Sequence, residues 1–99
     1  LTNRGVYSAA NEFVKYMRCC PNTITVGDRT GGGAGLPFSS ELPNGWIVRF
    51  SACPMYDAQG NSTEFGIDPD CNIQLTESDR LSDRDTIIEF ARQLIRNKR

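Results

Sequence analysis

Residues 8–35, SAANEFVKYMRCCPNTITVGDRTGGGAG, hold a helix, a stop, a strand and a glycine-rich loop in direct succession. Ala9, Ala10, Phe13, Val14 and Met17 recur at the three-to-four spacing of one helix face, with Ser8 at the first turn, so a helix is expected over residues 8–18. Pro21-Asn22 stops it. The β-branched run Thr23-Ile24-Thr25-Val26, ending at Gly27, then reads as a buried strand. Glycine follows at 31, 32, 33 and 35, where its loss of backbone entropy makes regular structure costly. A loop of that kind either brings backbones close together or serves a site.

Downstream, residues 36–42 and 45–53 are extended candidates joined by Pro43-Asn44-Gly45, an Asn-Gly turn signal that favours a hairpin. Trp46, Val48 and Phe50 alternate with Ile47, Arg49 and Ser51, giving one large apolar face and one mixed face. Residues 57–61 read as a further turn, and residues 63–67 as a short strand or edge ahead of the stop at Pro69. Ser82-Asp83-Arg84-Asp85 supplies a cap and acidic groups before Ile87, Ile88, Ala91, Leu94 and Ile95, whose spacing is helical. Arg92, Arg96, Lys98 and Arg99 lie toward the helix end that favours cations. With no repeat, low-complexity tract or linker, residues 1–99 read as a single α/β domain fragment, a mixed sheet with flanking helices.

The 99 residues carry 11 Lys and Arg against 12 Asp and Glu, a formal charge of −1, which excludes a basic footprint for nucleic acid or anionic membrane. Hydrophobic residues at 38% and charged residues at 23% are a folded composition, yet a chain of this size buries only about 60–70% of its unfolded surface. No histidine is present, so a self-contained Ser-His-Asp triad, a Cys-His pair and any His-dependent metal site are excluded within the chain. Histidine chemistry has to come from elsewhere. The start at Leu1, with no signal peptide or long apolar span, is expected to mark a piece of a longer protein with no integral membrane segment in it. Cys19, Cys20, Cys53 and Cys71 have no zinc-site spacing and read as buried or free thiols, with a disulfide in an oxidising compartment as the alternative.

Most chemical motifs fail on spacing. The glycine run lacks the Lys-Ser/Thr pair of a phosphate loop, Leu36-Pro37 standing there instead, and it opens no helix as a dinucleotide fingerprint would. Asp57, Gln59, Gly60 and Asn61 lack the ligand spacing and closing glutamate of a calcium loop and read as a hairpin turn; no metal is expected. Asn61-Ser62-Thr63 matches a glycosylation sequon, a pattern too short to weigh. Asp68 and Asp70 are a possible carboxylate pair, whereas Asp79, Asp83 and Asp85 fall around a helix start, where acids cap. Ser8 is the residue of interest. A serine at a helix start has its Oγ near unpaired N–H groups, and the Ala9 amide is suited to a developing oxyanion. An N-cap serine satisfying its own helix is nevertheless the simpler physical reading.

Taken together, TNRGVYSAANEF at 2–13, TITVGDRTGGGAGLPFSSELPNGW at 23–46, TEFGIDPD at 63–70 and DTIIEFARQLI at 85–95 resemble, in this order, the latter half of the catalytic domain of the C-terminal processing, or tail-specific, serine protease family. The resemblance covers most of residues 2–97 and implies the latter part of a crotonase/ClpP-like superhelical protease domain. It implies Ser8 as nucleophile and the Ala9 N–H as one oxyanion donor, the second lying upstream. One branch activates its serine with a lysine in the glycine-rich segment. An ungapped match of Ser8 and Gly27 puts Gly33 at that place, and neither Lys15 nor Lys98 is a convincing substitute. The chain is therefore similar to the other branch, tricorn and retinoid-binding-protein-like, in which a histidine from an earlier segment takes the proton. Glu64 matches the glutamate that orients it, against the simpler reading of an exposed strand glutamate.

By the same resemblance Arg29, Thr30 and the glycine-rich segment shape the wall beside the nucleophile, with Gly31, Gly32 and Gly33 binding substrate, while Ser39 and Ser40 have no assigned role. The implied activity is proteolysis by acyl transfer on a peptide or protein substrate, without cofactor, the fragment alone being inactive. The alternatives are a non-catalytic peptide-binding or scaffolding pseudopeptidase of the same fold, and an independent structural domain whose glycines only serve turns. A cell-envelope or periplasmic location, lipid-anchored or secreted, is also implied, and exposed core surface would favour a homo-oligomer.

Overall fold

A computed structural model describes residues 1–98. The first helix, α1, spans Ala9–Met17 as its periodicity predicts, burying Val14, Asn11 and Lys15 and leaving Phe13 and Tyr16 exposed. The expected strand is narrower than its β-branched run. Only Val26–Gly27 (β1) is laddered, in parallel with Cys71–Asn72 (β4). The chain around β1 is nevertheless the spine of the fold. On one side the 2–8 segment joins it through Thr2 N–H to the Val26 carbonyl and Gly31 N–H to the Val6 carbonyl. On the other, Thr30 N–H donates to the Ile67 carbonyl and Cys71 N–H to the Thr25 carbonyl.

The hairpin forms where Asn-Gly predicts it. Pro37–Glu41 (β2) and Ile47–Ser51 (β3) pair antiparallel, with Phe38 opposite Phe50 and Ser39 opposite Arg49. The register sorts Phe38, Val48 and Phe50 to one face and Pro37, Ser39, Arg49 and Ser51 to the other, as the alternation requires. Parallel and antiparallel pairings thus both occur, in two separate two-stranded sheets rather than one mixed sheet. Residues 57–61 are the expected turn, tied by Asp57 Oδ1 accepting from the Gln59 and Asn61 amides.

Residues 63–67 are not a strand. Gly66, at φ 105°, donates its N–H to the Thr63 carbonyl, and the chain turns there before β4. A short helix at Glu77–Leu81 (α2), capped by Thr76, has no counterpart in the sequence reading. The last helix, Thr86–Asn97 (α3), starts at Asp85, whose carboxylate accepts from the Ile87 and Ile88 amides, and its buried Ile87 faces the β1 region. Asp85 is therefore structural, and so is Asp79, which accepts from the Thr86 hydroxyl at 2.6 Å. All four cysteines are unbridged thiols.

The molecule is a slab of 59 × 35 × 15 Å with a radius of gyration of 17.0 Å, against about 13 Å for a compact domain of this length. A thickness of 15 Å holds little more than one layer of secondary structure, so most apolar faces have nothing to pack against. Val14, Val26, Ala34, Ile67 and Ile87 are the buried hydrophobic residues, while Trp46, Ile47, Phe65 and Leu81 are more than two-thirds exposed, at 71%, 73%, 79% and 82%.

Asp70, just before β4, ties it to Thr25, just before β1. Its carboxylate accepts from the Thr25 N–H at 2.8 Å and the Thr25 hydroxyl at 2.7 Å, and pairs with Arg18 at 3.2 Å. The Thr25 backbone and hydroxyl bonds, helped by Arg18, hold its pKa below the usual carboxylate value. A depressed folded-state pKa contributes stability above the unfolded value and loses it as pH falls through the folded one. Asp70→Asn is therefore expected to lower the melting temperature at neutral pH, with the gap to wild type closing below about pH 4. Thermal melts of both proteins across pH 3–7 read this directly, and a gap that stays constant with pH rejects it.

Candidate active site

Ser8 precedes α1 with φ 56° and ψ −119°, in the left-handed region that a residue with a Cβ rarely enters. Its Oγ makes no capping hydrogen bond, so the simple N-cap reading fails. The physical reason lies in its backbone: the Ser8 N–H donates to the Gly32 carbonyl at 2.7 Å, alongside the Tyr7–Gly32 bridge, and this fixes the residue as the last of an extended segment. The turn into the helix then happens within one residue, and the hydroxyl is left at an exposed position. The Ala9 N–H is taken by no acceptor among the described residues, as an oxyanion donor requires.

Two open cavities share Ser8, Gly33 and Pro37. One, of about 400 Å³, runs over α1 between Ala9, Phe13 and Tyr16 on one wall and Leu36 and Met55 on the other. The second, of about 430 Å³, opens toward β3 and is lined by Tyr7, Arg49, Phe50 and Ser51.

The three glycines expected to meet substrate separate here. Gly33 lines both cavities; Gly31 and Gly32 line neither, because the Gly31 N–H is spent on the Val6 carbonyl and the Gly32 carbonyl on Ser8. Gly33 has φ 74°, and a Cβ there would lie 2.3 Å from the Tyr7 ring. A lysine at position 33 is thus opposed by both backbone and neighbour. Lys15 is no replacement: it is buried, ion-paired with Glu12 and set over the Tyr16 ring.

Glu64 lies behind the glycine segment and lines neither cavity. Its backbone carbonyl accepts from the Gly33 N–H at 2.9 Å, and its carboxylate accepts from the Ser51 hydroxyl at 2.6 Å. Ser51 also lines the second cavity, so it links Glu64 to the space beside Ser8. The simple reading of an exposed strand glutamate does not describe this residue, which is half-buried in a turn with a fixed partner. Arg29 bonds to the Phe65 and Gly66 carbonyls and to Asp68, bracing the Glu64 turn from outside rather than facing Ser8. Ser39 shares the Arg49 face of the hairpin, and Ser40 the opposite one.

A buried polar network absent from the sequence reading supports the site. The fully buried Thr30 donates its hydroxyl to Asn11 Oδ1 at 2.6 Å and accepts from the Ile67 N–H at 2.6 Å. The amide of Asn11, also fully buried, donates to the Thr63 carbonyl at 3.1 Å. The helix behind Ser8, the glycine segment and the Glu64 turn are locked together by these bonds. The available signal was a polar residue, Asn11, on the apolar side of a predicted helix.

Ser8 is thus an exposed, uncapped serine beside two open cavities on a mixed α/β segment. The chain belongs to peptidase family S41, the C-terminal processing proteases, a family of serine proteases whose model matches residues 1–73. It is similar to a crystal structure from Parabacteroides merdae, of a protein provisionally described as a peptidase, with 61% identity and a TM-score of 0.88. The match covers 94% of this chain and 30% of that one, so the chain spans under a third of the length of the relative. No curated protein matches it.

Proposed function

We propose that residues 1–99 are the C-terminal portion of the catalytic domain of a serine endopeptidase, in the lysine-free, tricorn-like branch of the C-terminal processing proteases, with a crotonase/ClpP-like superhelical fold. The observation that carries this is the uncapped Ser8 in its left-handed conformation at the start of α1. Ser8 attacks the peptide carbonyl, and a histidine from outside this chain takes its proton. The Ala9 N–H stabilises the oxyanion, the imidazolium passes its proton to the leaving amine as the C–N bond breaks, and water, deprotonated by the same imidazole, hydrolyses the acyl-serine ester. Glu64 holds the imidazole in the required tautomer and offsets the charge of the imidazolium. Support for the branch comes from Gly33, whose positive φ strains any side chain there and whose Tyr7 neighbour would have to move to admit the lysine of the other branch. The protein acts on a peptide or protein in the cell envelope or periplasm, and the slab alone is inactive because it has no histidine.

The test is fluorophosphonate labelling of the folded parent protein, read by peptide mass mapping, because such probes report an activated serine whatever the substrate. Modification confined to Ser8 is expected. A folded parent that takes no label favours the pseudopeptidase reading instead. Glu64→Gln is expected to lower kcat by about 10²- to 10⁴-fold with the melting temperature nearly unchanged, since the Ser51 hydroxyl still finds a carbonyl oxygen there. Full activity in that variant removes Glu64 from the mechanism.

A further inference from the structure

Resting on the peptidase reading of Ser8, we infer that the site selects an apolar side chain on one side of the scissile bond and an acidic side chain on the other. The two cavities that share Ser8 differ in chemistry. The one over α1 is walled by Phe13, Tyr16, Leu36 and Met55, and its single carboxylate, Glu12, is neutralised by Lys15. A space of about 400 Å³ with such walls takes a large apolar side chain.

The cavity toward β3 is lined by one guanidinium, Arg49, and by no carboxylate, the Glu64 carboxylate lying behind its wall on the Ser51 hydroxyl. Strand alternation puts Arg49 on the same hairpin face as Ser51 and Pro37, both of which line this cavity. Arg4, Arg18, Arg29, Arg84 and Arg92 are all ion-paired; Arg49, like Arg80 and Arg96, has no acidic partner among the described residues, and of these three only Arg49 lines a cavity that holds Ser8. Glu41, on the same face of the neighbouring strand, stands opposite Ile47, and neither it nor Arg49 is among the ion-paired residues. A planar guanidinium with free donors, facing the cavity that holds the nucleophile, is matched by a carboxylate, which it binds through two parallel hydrogen bonds. The carboxylate assigned here is a side chain, aspartate or glutamate, and not a chain terminus.

The test uses the full-length parent and N-acylated, C-amidated peptides carrying a Phe or Leu next to Glu, Gln or Lys, in both orders about the scissile bond. In one order wild type is expected to cleave the Glu peptide with a kcat/KM about tenfold above Gln, and further above Lys. Arg49→Glu is expected to reverse the order so that Lys leads, and Arg49→Gln to bring Glu and Gln within about twofold. Ser8 labelling with no acid preference, or a preference that survives both Arg49 variants, overturns this inference and leaves the peptidase reading standing. An acid preference seen only with a free C-terminus overturns the side-chain assignment. Neither labelling nor cleavage overturns the peptidase reading and this inference together.

Discussion

Ser8→Ala is expected to abolish fluorophosphonate labelling and to lower kcat/KM of the parent by about 10⁴- to 10⁶-fold, the usual consequence of removing an acyl-transfer nucleophile. The same change is expected to shift stability by no more than about 0.5 kcal/mol. The two halves of this expectation have one origin. The Ser8 Oγ makes no capping bond, so its removal orphans no helix amide. The backbone of residue 8 stays in place because its N–H is held by the Gly32 carbonyl, and alanine meets the same left-handed strain as serine. A cap serine behaves oppositely: alanine there costs about 1 kcal/mol and leaves activity alone. Parallel melting and kinetic measurements separate the cases, and a parent equally active with alanine at position 8 refutes the nucleophile.

Thr30→Val is expected to be the most damaging near-isosteric change in this segment. Valine keeps the shape but removes both hydrogen bonds of the hydroxyl, leaving Asn11 Oδ1 and the Ile67 N–H unpaired in the interior. Each orphaned buried group costs about 1–3 kcal/mol, so a loss of about 2–6 kcal/mol is expected for the two. Thr30→Ser keeps the hydroxyl and is expected to recover most of it. Denaturant unfolding of the parent and the two variants measures the difference. Equal stability of the valine and serine variants shows that the hydroxyl is not what locks α1 to the glycine segment.

Local pattern carried much of this protein. Apolar spacing gives α1 and α3, Pro43-Asn44-Gly45 gives the hairpin, and residues 57–61 give their own turn, because each is a relation between residues at most a few positions apart. The same locality explains what was misread. Residues 63–67 are β-like in composition, but the bond from Gly66 to Thr63 and the approach of Ile67 to Thr30 turn the chain there. The slab also hides its core logic from periodicity, since an apolar strand face such as Phe38, Val48 and Phe50 looks buried in sequence and stands exposed in this segment.

By itself, then, the sequence determined α1 and α3, the hairpin, the absence of any internal histidine and the ordered motifs that mark Ser8 and Glu64. Only the tertiary structure decided that Ser8 leaves its own cap, that Gly31 and Gly32 serve the backbone while Gly33 faces the cavities, and that Ser51 holds Glu64. The physical reason is sequence separation. Hydrogen bonds from Ser8 to Gly32, Thr30 to Asn11 and Ser51 to Glu64 join segments that no helical or strand period relates, and each becomes favourable only after the chain between them has been ordered by its other contacts.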